Sequence, residues 1–204
     1  MKADLKKTKE NLEQKGFQVS VFDTAAEAVA YLGREIEGKT VGMGGSTTID
    51  QIQLYEELAS HNQVFWHWRL KDTDLSEKEI YTASQTADIY ISSANGVSET
   101  GEIINIDGFG NRISACLYGH EKVYYVIGSN KIAPSMEEAI NRARNVAAPK
   151  NARRLKKDVP CAKNADKCYD CSSSQRICKG LSVLWRAMGC CKTEVVIIDQ
   201  ELGF

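Results

Sequence analysis

KTVGMGGSTTIDQIQLYEELAS (39–60) is the stretch on which the reading of the fold turns. KTVGMGG (39–45) reads as a short strand, with Thr40 and Val41 running into Gly42, Gly44 and Gly45. STTIDQIQLYEELAS (46–60) reads as a helix opened by the hydroxyls of Ser46 and Thr47. A strand that enters a helix through glycines is the building block of a parallel sheet, and the same alternation continues on both sides. Upstream lie a surface helix over 3–15 stopped at Gly16, the alternating strand FQVSVFD (17–23), and a helix AAEAVAYLGREI capped by Thr24. Downstream come the strand QVFWHW (63–68), a helix over 75–86 and the strand ADIYISSA (87–94). EIINIDGFGNRISACLY then reads as a hairpin turning at Asp107–Asn111. KVYYVIGS (122–129) is a buried strand, SMEEAINRARNVAAP (135–149) a helix closed by Pro149, and TEVVIID (193–199) the last strand. The expected fold is α/β, a largely parallel sheet with helices on both faces, plus a cysteine-rich metal-binding insertion. The expected division is 1–154 for the α/β domain, 155–192 for the cysteine segment and 193–204 for the closing strand.

The glycine turn is the first candidate site. Gly44 and Gly45 let the backbone turn sharply and bring bare N–H groups close to a ligand. The helix that follows adds unsatisfied N–H groups and the positive end of its dipole, and Ser46, Thr47 and Thr48 add hydroxyls. Such a turn suits a phosphate or a carboxylate, that is, a small anionic substrate. G-x-G-G-S is neither the dinucleotide fingerprint nor a P-loop, since no Lys follows. The plainer reading is a tight turn with a Ser or Thr cap and no ligand.

The second candidate lies in PCAKNADKCYDCSSSQRICKG. Cys161, Cys168, Cys171 and Cys178 fall close together, and the middle pair has the C-x-x-C spacing that aims two sulfurs at one centre. Four soft ligands select an iron–sulfur cluster, here expected as [4Fe–4S], or zinc. Buried free thiols or two disulfides are the alternatives. The segment has little regular pattern, so its order is expected to depend on the metal. Cys116 lies outside the group, and Cys190 and Cys191 follow it, with one of them a spare ligand as the alternative.

Composition limits the partners. The formal net charge of -1 gives no reason to expect general nucleic-acid binding. No apolar run approaches the roughly 20 residues that cross a bilayer. MKADLKKTKENLEQKGF lacks the apolar core of an export signal, so a reducing cytoplasm is expected, where disulfides rarely persist. Arg153, Arg154, Lys156 and Lys157 read as a solvated linker or as a positive rim for an acidic redox partner protein. His61, His67 and His120 lack partners at ligand spacing, although the aromatic neighbours of His67 would desolvate it. Trp66, Trp68 and Trp185 are expected in the core or at an interface. A homo-oligomer is left open.

The third candidate is Glu99 in NGVSETGEIINIDGFGNR (95–112), a carboxylate in a turn after a strand, where it would share a crevice with the glycine turn. A solvated loop carboxylate is the commoner fate of such a residue. GMGGSTT, SANGVSETGEI with NIDGFGNR, and KVYYVIGSNKI together resemble the lactate-utilisation (LUD) domain proteins, over about residues 1–150 and the last strand. The run from Pro160 to Cys178 is similar to that of a subgroup with a cysteine-rich tail. The resemblance implies a fold similar to sugar-phosphate isomerases and coenzyme A transferases, in which a glycine-rich turn holds a phosphate or coenzyme A. Coenzyme A transferases carry a glutamate nucleophile in an S-E-N-G turn. Ser98–Gly101 reads S-E-T-G, which puts Glu99 at the matching position and Thr100 out of pattern. The resemblance also implies support of lactate oxidation through an iron–sulfur and flavin electron chain. Three functions are thus carried forward: a redox protein with an iron–sulfur cluster acting on a small hydroxy acid, an acyl or coenzyme A transferase using Glu99 with a structural zinc, and a non-enzymatic anion-binding module.

Overall fold

The structure is a computed structural model, described here for residues 3–204. Six strands form one sheet. In chain order they are β1 (Gln18–Phe22), β2 (Thr40–Met43), β3 (Gln63–Trp66), β4 (Ile89–Ser92), β7 (Lys122–Gly128) and β10 (Lys192–Ile198), with β5, β6, β8 and β9 lying elsewhere. Their order across the sheet is β1-β10-β7-β4-β2-β3, and every pairing is parallel. The expected strands are therefore all present, and the fold is α/β.

Two apolar cores show why helices cover both faces. Tyr124 and Val126 of β7, with Val196 and Ile198 of β10, pack with α2 (Ala25–Glu35), α3 (Thr47–Gln51) and α4 (Leu54–Ala59) through Leu32, Ile49 and Leu58. The alternate residues Val123, Tyr125, Ile127, Val195 and Ile197 pack on the other face with Leu12 of α1 (Leu5–Gln14) and with Ala115 and Cys116 of α6 (Asn111–Leu117). Successive strand residues point to opposite faces, so strands apolar at every position are covered twice. The helix α5 (Glu77–Gln85) covers Phe65 and Ala87 through Ile80.

A second, four-stranded sheet has the order β8-β5-β6-β9, from β5 (Gly96–Ser98), β6 (Ile103–Asp107), β8 (Ile132–Ala133) and β9 (Gly180–Leu184). β5 and β6 form an antiparallel hairpin, and β9 pairs antiparallel with β6 from Ile103↔Leu184 to Asp107↔Gly180. The strand β9 falls within 155–192, so this range contributes a strand to the folded body as well as the cysteines.

Three local expectations are corrected. The hairpin expected to turn at Asp107–Asn111 is instead a strand followed by α6. Asp107 Oδ1 accepts from the N–H groups of Gly108, Phe109 and Gly110, and Oδ2 from that of Ile113. The carboxylate thereby gathers the donors at a helix entry, and Ala115 and Cys116 are buried by the helix that follows. The helix expected over 46–60 breaks at Gln53, whose φ of 55 is left-handed. The break re-aims the chain so that Ile49, Ile52, Leu54 and Leu58 all enter one core.

The helix expected to close at Pro149 runs through it. α7 (Met136–Arg142) passes into a π-helical turn at Ala143–Ala147 and then α8 (Ala148–Arg154). Proline lacks an N–H and crowds the preceding turn, and the widened π turn just before it accommodates both defects. α9 (Pro160–Asn164) follows in the cysteine segment. Among the described residues no helix is long and apolar enough to cross a membrane.

Candidate functional site

The chain leaves β2 toward β3 at the sheet edge and leaves β4 toward β7 on the other side. These neighbouring strands therefore send their connections in opposite directions, and a crevice opens beyond their carboxyl ends. A cleft of ≈ 400 Å³ lies there. Its floor is the glycine turn after β2, Ser93–Asn95 after β4 and Lys131 after β7. α8 and the cysteine segment wall it, through Asn151, Arg154 and residues 174–177.

Gly45, Ser46, Thr47 and Thr48 line this cleft. A Cβ on Gly45 would stand 3.0 Å from His67 Nε2 and from Trp68 Nε1, so any larger residue would have to push those rings back. Gly44 behaves otherwise. Its N–H is spent on Ile91 O at 2.9 Å, its carbonyl accepts from Trp66 Nε1 at 3.2 Å, and it does not line the cleft. The expectation of a free Gly44 donor is therefore corrected, because continuation of β2–β4 pairing consumes it. Ser46 Oγ accepts from Ile49 N–H at 3.3 Å, the ordinary helix cap.

The charge in this crevice comes from a residue outside the glycine turn. Lys131 is 4% exposed, and its Nζ donates to Thr48 Oγ1 at 2.8 Å and to Ser93 Oγ at 3.0 Å. None of the ion pairs among the described residues involves it. Burial, with the nearby charges of Arg142 and Arg112, pushes its ammonium down from 10.5 to about 7. Arg142 donates to the carbonyls of Asn130, Asn95 and Phe204, and burial pulls it down to about 10. Arg112 donates to Ser93 O, Asn105 Oδ1, Asn95 Oδ1 and Ile106 O. Asp107 Oδ2 stands 4.0 Å from Arg112 Nε; burial works against its charge, but Arg112 and the N–H groups of the turn hold it below the usual carboxylate range. A buried cation between two hydroxyls, backed by two arginines whose hydrogen bonds go to carbonyls and amides, is built to receive an anion.

The outer part of the cleft is aromatic and basic. His67 and Tyr81 rings lie 5.0 Å apart, and Tyr81 and Phe109 5.2 Å apart. Arg154 lies over Trp68 at 4.6 Å, and Lys157 and Lys179 line the same space. Burial keeps His67 neutral to a lower pH than usual, despite Glu77 and with help from Arg154. Arg154 and Lys157, read from sequence as a solvated linker or rim, stand at the end of α8 in the cleft, while Arg153 holds the carbonyls of Ala162 and Lys163. His61 and His120 bond backbone carbonyls, as ordinary structural histidines do.

Cys161, Cys168, Cys171 and Cys178 are free thiols and line one small cavity with Arg144 and Arg176. Cys168 Sγ accepts from Arg144 Nε at 3.4 Å and from Asp170 N–H at 3.3 Å. Burial disfavours its thiolate, but these donors and the charges of Arg144 and Arg176 outweigh that and pull the thiol below its ordinary value. Cys161 goes the other way, raised by burial and by the neighbouring sulfurs of Cys178, Cys171 and Cys168. Among the described residues no three Cys, His, Asp or Glu side chains stand close enough to hold a single metal ion. Cys190 and Cys191 lie apart from this cavity, with Cys190 Sγ on Leu117 O at 3.1 Å.

Glu99 is not in the cleft. Its Oε1 accepts from Asp4 N–H and its Oε2 pairs with Lys7 Nζ, each at 3.1 Å, so it anchors the start of α1. The expectation that it faces the glycine turn is corrected. β5 leaves the cleft at Asn95 and β6 returns to it at Asp107, which puts the Glu99–Gly101 tip at the far end of the hairpin. Ser98 and Thr100 hydroxyls donate to Glu102, which also pairs with Lys15, so the S-E-T-G turn is a clasp for α1. Lys131, Arg112 and Tyr81 were missed. The place of Lys131 after a strand in IGSNKI was readable, but its burial was not.

The sequence pattern of the LUD domain matches residues 5–198. No curated protein matches the chain. The crystal structure of a DUF162 family protein from Deinococcus radiodurans superposes with a TM-score of 0.55 at 12% identity, covering 95% of each chain, which supports the fold alone. A pattern that spans nearly the whole described chain, over the expected parallel sheet, places this protein in the LUD domain family.

Proposed function

We propose that this LUD-family protein binds a small anionic substrate, a hydroxy acid such as lactate, at the Lys131 end of the cleft. We further propose that Cys161, Cys168, Cys171 and Cys178 hold an iron–sulfur cluster that serves redox metabolism of that acid. One observation carries the reading. Arg176 and Ile177 line both the cleft and the four-thiol cavity, so the two candidate sites share a wall. A cluster held there would accept or deliver single electrons beside the bound substrate. The donor set is of the kind such a group needs: four free thiols line one small cavity, one of them drawn toward thiolate by arginine. Lys131 would hold the substrate carboxylate, with Thr48 and Ser93 fixing the ammonium in place. The transferase reading loses support, because Glu99 is held on α1 at the far end of its hairpin.

The test is anaerobic purification followed by iron, acid-labile sulfide and zinc analysis, together with calorimetric titration of L-lactate. Iron and sulfide in matching amounts are expected, both lost in a Cys168→Ser, Cys171→Ser double variant. Lactate binding is expected to be lost in Lys131→Met. Zinc without sulfide, or unaltered metal in the double variant, would reject the cluster. Unaltered lactate binding in Lys131→Met would reject the substrate site.

A further inference from the structure

A three-carbon acid at Lys131 fills only a small part of a ≈ 400 Å³ cleft, whose size suits a much larger ligand. The unfilled part has its own chemistry. His67, Tyr81 and Phe109 form a continuous row of rings, contiguous with the glycine turn through the close approach of Gly45 to His67. Phe109 is 77% exposed, so the outer face of its ring is open to a ligand in the cleft. The loop that carries it is fixed: Gly108 packs directly on Ile177 O, and Lys179 N–H donates to Asp107 O at 2.9 Å. Basic groups share the same space. Among the described residues Arg154, Lys157 and Lys179 form no ion pair with a carboxylate, although all three line the cleft. Lys131 adds a cation more than nine-tenths buried at the inner end.

We propose that the outer part of the cleft is a nucleotide subsite: a flat aromatic base stacks on Tyr81 and Phe109, and its phosphate is held by Arg154, Lys157 and Lys179. Rings accept any planar base through its face, and unpaired cations supply the charge for phosphate. The inference rests on the cleft reading above but not on the cluster. The small acid would keep the Lys131 end, so the two ligands would bind side by side.

Binding of adenosine 5′-monophosphate, ribose 5-phosphate and inorganic phosphate to the full chain is measured by calorimetry, with NAD and FMN as further nucleotides. The monophosphate is expected to bind about tenfold or more tighter than ribose 5-phosphate, the share of one stacked base. Phe109→Ala, at an exposed position that should fold normally, is expected to remove about that tenfold advantage and leave ribose 5-phosphate unchanged. Arg154→Met is expected to weaken both, and L-lactate is not expected to displace the nucleotide. Equal binding of ribose 5-phosphate and the monophosphate, or an unchanged nucleotide affinity in Phe109→Ala, overturns the subsite. Displacement by lactate overturns the side-by-side arrangement. Iron and sulfide are assayed in the same samples. A sample without iron that still prefers the nucleotide rejects the cluster and keeps the subsite; a loaded sample without that preference does the reverse.

Discussion

Lys131→Met removes the buried ammonium and keeps the length of the side chain. In the folded protein the ammonium loses its proton at about 7, against an ordinary lysine value of 10.5. At about 1.36 kcal/mol for each pKa unit, keeping it charged inside the fold costs up to about 5 kcal/mol. Truncation also leaves the hydroxyls of Thr48 and Ser93 without their donor, a loss of about 1–3 kcal/mol that lowers the gain. The variant should therefore be more stable than wild type by up to about 2–4 kcal/mol below pH 7, once the two effects are set against each other. The sign with pH follows from the lowered value. Between about 7 and 10.5 the unfolded chain holds a proton that the folded one has released, so wild-type stability rises with pH through that window. The variant lacks this rise, and its advantage should shrink steadily across it. Urea unfolding of both proteins at several pH values measures the difference, in which every other titrating group cancels. Lactate or phosphate should stabilise wild type and not the variant, since an anion beside the ammonium relieves its burial. A variant less stable than wild type by a constant amount from below pH 7 to above 10 would refute the reasoning and make Lys131 a structural hydrogen-bond donor.

Glu99→Gln should leave anion binding unchanged and cost about 1 kcal/mol in urea unfolding, from the weakened hold on Lys7 and Asp4 N–H; loss of ligand binding would return the residue to the site. Gly45→Val should put a side chain against His67 and Trp68 and lower lactate affinity at least about tenfold while circular dichroism stays native; unaltered affinity would remove the glycine turn from the site. Asp107→Asn should cost about 1–2 kcal/mol through the weakened entry to α6. The folded Asp107 carboxyl lies below its ordinary 3.8, so the share tied to its charge is complete above that value and lost as the pH falls through the lower one. An acid unfolding curve identical to wild type would show that the charge contributes nothing.

The parallel strands were legible because most are short runs rich in apolar, β-branched or aromatic residues, as in Val123–Ile127. The glycine turn was legible for the same reason: close backbone approach needs glycine whatever lies opposite. The thiols announced themselves by spacing. Local sequence misled where backbone geometry or packing outside the pattern being read decided the outcome. RISACL became a helix because Asp107 takes up the Ile113 N–H in its first turn and the sheet gives a face to bury Ala115 and Cys116 against. The helix crossed Pro149 because a π turn made room for it. Glu99 looked catalytic from its turn and proved to be a clasp, because the hairpin carries its tip away from the strand ends toward α1.

Sequence alone thus determined the α/β class, the place of the glycine turn and the grouping of four cysteines, all properties of short runs of residues. Only the tertiary structure decided which charge lies at the centre of the cleft. Arg112, Lys131 and Arg142 are separated along the chain and gather at the diverging ends of β2, β4 and β7. The burial that draws Lys131 toward neutrality comes from that gathering, since desolvation depends on what surrounds a side chain in space and not on its neighbours in sequence.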